Sequence, residues 1–204
     1  MRLPLILFLL AAVIPVFFGK IRSAPLWLSL QAFALAWNGA TQHEGWTVHG
    51  VVTLAEVITV RAVIAPLLLR RAIRLRGEPN ADLMPSNLFA WALGVALIVL
   101  AFDFGGAAMA DVPALALGVV GGMVAIALLL LSTNLSPPAQ LVAVLFMENG
   151  IAVFESLLPE PWAWPVHGTL TAVYLVTVGV GGWLIGTPTG QATVEAGTTR
   201  GETT

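Results

Sequence analysis

The chain has 204 residues, 58% of them hydrophobic and only 10% charged, with a mean hydropathy of +0.90. Soluble domains carry about a quarter charged residues, so this composition points to one membrane domain. A formal net charge of −2 without a basic surface excludes nucleic-acid binding, and the absence of cysteine excludes disulfides, iron–sulfur ligation and thiol chemistry.

The apolar runs predict an all-α fold, a bundle of about seven transmembrane helices within one domain of residues 1–186. The expected spans are 3–19, 25–40, 48–69, 87–103, 112–132, 139–158 and 166–186. The first contains Pro4 and Pro15 and is followed by Lys20 and Arg22 with no small-x-small site behind it, so it reads as a retained span rather than a secretory signal. Ser23-Ala24-Pro25 opens the second, short span with proline in the first turn, where its missing N–H costs least. His43, Glu44 and His49 follow at its outer mouth. The spacing H-E-x-x-x-x-H lacks the i, i+4 pairing of a zinc helix, so a wetted interface is expected there and no metal.

The third span holds Glu56 and Arg61. Five residues on an α-helix turn through about 140°, so each is expected to look to a different neighbour. Arg61 near mid-span cannot shed its charge and needs a carboxylate or wetted polar partner. Depth alone suggests Glu148, with Glu56 and Glu155 as alternatives. Pro66 removes a backbone hydrogen bond five residues later and is expected to bend the helix. Arg70, Arg71, Arg74 and Arg76 then lie on the same side as Lys20 and Arg22, and read as topology determinants that also meet anionic lipid. The opposite loops, 41–47, 104–111 and 159–165, carry neither Lys nor Arg, and Arg2 is the one exception to the pattern. The positive-inside rule then puts the N-terminus outside and the C-terminus in the cytoplasm.

Gly118, Gly121 and Gly122 in the fifth span, and Gly179, Gly181, Gly182 and Gly186 in the seventh, form small-residue faces for close helix packing. They lie inside apolar helices rather than after strands, so no nucleotide loop is implied. The sixth span contains the run LFMENGIAVFE, residues 145–155, which buries Glu148, Asn149 and Glu155 in apolar sequence. A comparable charge at mid-bilayer costs roughly 2.5–3.5 kcal/mol, and such residues face protein or a wetted cavity. Glu148 and Glu155, seven apart, project from one face about 10 Å apart along the axis. Gly150 beside them lets another backbone approach. The expected role is a protonatable site inside the bundle. His167 reads as a helix-end residue, and Trp27, Trp46, Trp91, Trp162, Trp164 and Trp183 as an interfacial belt. Residues 187–204, rich in Thr, Gly and acidic groups, are expected to be a disordered cytoplasmic tail.

The run FMENGIAVFESLL, followed by a spacer and a final apolar span, resembles the C-terminal half of the hydrogenase-4 component E family, a small membrane subunit of formate hydrogenlyase-like complexes. ITVRAVIAPLLLRRAIR resembles that family's third helix, with Arg61 and Pro66 at the places of its mid-span basic residue and following proline. The likeness covers residues 20–186. The family is similar in turn to the K subunit of complex I and the C subunit of multisubunit sodium/proton antiporters, whose glutamates line a proton path; Glu148 matches the first of them. In family members an acidic residue stands early in the last span, where HGTLTAVYLV has none.

The resemblance implies a cofactor-free, non-catalytic subunit of a complex I-like or group 4 hydrogenase-like assembly in a bacterial or archaeal cytoplasmic membrane. Its partners would be antiporter-like and hydrogenase-like membrane subunits and the lipid bilayer. Glu148, Arg61, Glu155 and Glu56 would serve proton translocation or coupling. Two alternatives stand beside it: a structural assembly subunit with no ion pathway, and a stand-alone small-solute transporter. No inverted repeat with paired interrupted helices supports the latter.

Overall fold

A computed structural model describes residues 3–42, 48–76, 80–84, 87–155, 158 and 162–187. Among them the chain is all-helical. The helices are α1 (Leu3–Phe18), α2 (Ala24–Gln42), α3 (Val48–Glu56), a π-helical segment (Val57–Ile64), α4 (Ala65–Arg76), α5 (Leu88–Ala108), α6 (Asp111–Thr133), α7 (Pro137–Glu155) and α8 (Trp164–Gly186). His43, Glu44, Trp46 and residues 188–204 of the expected tail lie outside the described residues.

Among the described residues, five helices are long and apolar enough to cross a membrane: Gly50–Leu75, which runs through α3, the π segment and α4, and then α5, α6, α7 and α8. The expected count of seven is therefore met only in part. α1, at 16 residues, rises about 24 Å, short of a hydrocarbon core of about 30 Å. α2 has 19 residues but buries Gln31 and Asn38, which dilute its apolar character.

The core is built on α6, whose residues Val119, Met123, Ile126, Ala127 and Leu130 are buried. α1, α5 and α7 pack against it, and α2 closes on α1 through the short 3₁₀ turn Ile21–Ser23. The α5–α6 crossing is close because glycine permits it. A Cβ on Gly105 would stand 2.6 Å from the carbonyl oxygen of Ala114, and one on Gly118 would meet the ring of Phe102 at 2.8 Å. Gly150 likewise faces Met123, with a Cβ clearance of only 3.3 Å, while Gly179 faces open space.

One end of the bundle is stitched together. Ile21 donates to the Ala81 carbonyl at 2.9 Å and Leu83 to that of Gly19 at 3.2 Å. Asn134, between α6 and α7, donates its amide to the Leu83 carbonyl at 2.6 Å and accepts from Ser136 N–H at 2.9 Å. The Lys20–Arg22 turn and the segment after the arginines of α4 therefore share an end, and α7 starts there. Its other terminus, Glu155, lies at the opposite end, where α8 begins.

Candidate functional site

Pro66 starts the local chemistry. An α-helix would use the N–H of residue 66 to satisfy the carbonyl of Ala62, and proline has none. The freed carbonyl is taken by Ser29 Oγ of α2 at 2.8 Å. The turns before it widen, with Ala65 N–H bonding to Val60 O, five residues back. Pro66 is accompanied by eight residues of π geometry, in which positions i and i+5 come together.

That widening overturns the expectation that Glu56 and Arg61 diverge. Arg61 Nε lies 3.5 Å from Glu56 Oε1, with both side chains nearly excluded from solvent. The guanidinium also donates from Nη1 to Asn149 Oδ1 at 3.0 Å and reaches the backbone carbonyl of Glu148 at 3.5 Å. Its carbon sits 4.4 Å above the centre of the Tyr174 ring, a cation–π contact that strengthens away from water. The partner of Arg61 in the ion pair is thus Glu56, and α7 contributes Asn149 and a main-chain oxygen.

Asn149 extends the network. Its amide nitrogen donates to Gln31 Oε1 at 2.8 Å, and Gln31 Nε2 points at Met123 Sδ, 3.5 Å away. Both amides are fully buried. Residues of α2, α3, the π segment, α6, α7 and α8 therefore converge on one polar knot inside apolar surroundings.

Glu148 and Glu155 both turn to α8. Thr177 donates to Glu148 Oε1 at 3.1 Å, while Glu148 Oε2 is buried and accepts no hydrogen bond from the described residues. Glu155 Oε2 lies 3.4 Å from His167 Nδ1, and His167 Nε2 lies 3.9 Å from Glu56 Oε2. His167 does open the last helix, as expected, but it is also buried between two carboxylates. Arg61 thus pairs with Glu56, while Glu155 is met by His167 and Glu148 by Thr177.

Gln31, Tyr174 and Thr177 were not singled out by sequence. Gln31 had a usable signal, a polar amide in the middle of an apolar run; Tyr174 and Thr177 had none, because a hydroxyl is common on membrane helices. An open groove of about 600 Å³ follows α8 and is lined by Pro165, Gly168, Thr169, Ala172, Val176 and Thr177 among others, so it reaches the residue that holds Glu148. Among the described residues no group of His, Asp and Glu is arranged to hold a metal ion.

Comparison of the chain with protein-family models, curated proteins and solved structures finds no match.

Proposed function

We propose that the chain is a membrane subunit of a complex I-like or group 4 hydrogenase-like assembly, that it needs no cofactor of its own, and that it handles protons at the Glu56–Arg61–Glu148 cluster. The observation that carries this reading is the Arg61 guanidinium: fully charged, almost wholly buried, and midway along a helix of membrane-spanning length. Intramembrane charge is costly and marks ion and proton pathways more often than it serves packing alone. The family resemblance of the segments around Arg61 and Glu148 gives the kind of assembly. The groove along α8, open beside Thr177, offers a face for a neighbouring membrane subunit. On this reading the membrane contains seven helices, with α1 and α2 held inside the assembly, the N-terminus outside and the C-terminus in the cytoplasm.

The test is Glu148→Gln, which keeps the shape and the contact with Thr177 but cannot gain and lose a proton. The assembled complex should form at the parental level on native gels, while proton uptake by inverted vesicles falls. A purely structural Glu148 would tolerate the change within about 1 kcal/mol, the scale of interhelical hydrogen bonds in membranes. Parental assembly together with parental proton uptake would leave an assembly subunit as the function.

A further inference from the structure

The Glu56–Arg61 pair lies well below the surface. Glu56 is eight residues into the helix that starts at Val48, a depth of about 12 Å. Glu155 is the last residue of α7, at the end of the bundle. Between them is the imidazole of His167, buried near the start of α8, with Nδ1 3.4 Å from Glu155 and Nε2 3.9 Å from Glu56. Each ring nitrogen thus faces a different carboxylate, one outer and one inner.

We propose that His167 passes protons between Glu155 at the end of the bundle and the Glu56–Arg61 pair inside it. The inference rests on the reading of that pair as a proton-handling site, and it supplies the route by which the site is reached. Imidazole can accept a proton at one nitrogen and release another from the second nitrogen on its far edge. The step balances simply. The Glu155 carboxyl group gives its proton to Nδ1, forming imidazolium; the proton on Nε2 then leaves for the Glu56 carboxylate, and the ring is neutral again with its remaining proton on Nδ1. A half-turn of the ring, which carries that N–H to the inner side and leaves the bare nitrogen toward Glu155, readies it for the next proton. The 3.9 Å gap on the inner side exceeds a direct hydrogen bond by about 1 Å, so the inner transfer requires a small approach of α8 to α3 or a bridging water, and the outer one is closer to contact. The titratable and charged groups facing the ring include Glu155 of α7 and Glu56 of α3, with Arg61 of the π segment behind Glu56.

Two measurements test the proposal, and they fail differently from the reading it rests on. The first is nitrogen-15 NMR of the full chain, labelled in histidine and held in lipid nanodiscs, followed from about pH 5 to about pH 9. His167 is identified by the signals that vanish in His167→Gln, since the chain has only three histidines. Proton exchange at both ring nitrogens is expected, with Glu155→Gln perturbing Nδ1 and Glu56→Gln perturbing Nε2. A single tautomer, fixed across that range and indifferent to both substitutions, overturns the relay whatever the assembly does. The second is proton uptake by vesicles bearing the whole complex. His167→Gln should lower it at least about tenfold at equal assembly. Parental uptake in His167→Gln together with loss in Glu148→Gln overturns the His167 route and leaves the proton-handling site standing.

Discussion

Arg61 Nε lies 3.5 Å from Glu56 Oε1, five residues earlier in the same continuous helix. Both groups are buried, so removing either leaves the other charged in a medium that solvates it poorly. Arg61→Leu should destabilise the fold by about 3–5 kcal/mol, the cost of stranding a buried charge. Arg61→Lys should fall between, because a point charge cannot contact Glu56, Asn149 and the Glu148 carbonyl at once while stacking on Tyr174. Glu56→Gln combined with Arg61→Leu should recover part of the loss. Thermal unfolding in detergent and yield in the membrane fraction measure all three.

Pro66 and Ser29 should be coupled. Ser29→Ala removes the hydroxyl that satisfies the Ala62 carbonyl, a loss worth about 1–3 kcal/mol for a buried group. Pro66→Ala returns an N–H to the helix at the position that can reach the same carbonyl. In that background Ser29→Ala should cost much less. Equal cost in both backgrounds, read from a double-mutant cycle of unfolding midpoints, would uncouple the proline from the widened turns.

Gly105 and Gly106 are neighbours with opposite surroundings. A Cβ at Gly105 would press on the backbone of α6, whereas one at Gly106 meets nothing within 4 Å. Gly105→Ala should therefore destabilise by about 1–3 kcal/mol through overpacking. Gly106→Ala should be neutral or stabilise by up to about 1 kcal/mol, through the better helix propensity of alanine. Detergent unfolding of the pair distinguishes a tight α5–α6 crossing from a loose one.

Topology gives a further check. A reporter fused after Gly190 should read the cytoplasm, and one inserted between Met109 and Ala110 should read the outside. Both reporters on one side would remove the seven-span arrangement.

The helices were legible because apolar residues dominate each run, and their ends fall within a few residues of where hydropathy stops. The exception is instructive: the third run was expected to stop at residue 69, yet helix continues to Arg76. Arginine ends an apolar stretch without ending a helix, since its helix propensity is close to that of leucine. The polar knot was legible residue by residue at Glu56, Arg61, Glu148 and Glu155. Its pairing was not, because angular reasoning assumed 3.6 residues per turn where Pro66 leaves a wider one. The sequence shows His167 only as a helix-end residue, for a different reason. Its carboxylate neighbours, Glu56 and Glu155, come from two other helices, and only tertiary packing brings them to one ring.

The widened turns from Val57 to Ile64 also bear on how this chain responds to changes in its length. Deleting one residue from an ordinary α-helix rotates everything beyond the cut by about 100°, carrying buried side chains into lipid. Here the backbone holds slack. A deletion scan scored by membrane expression should find losses within 57–64 far milder than losses in α6, since the segment can wind back to regular pitch. Leu69, Ala72 and Ile73, all buried beyond it, would then keep their places.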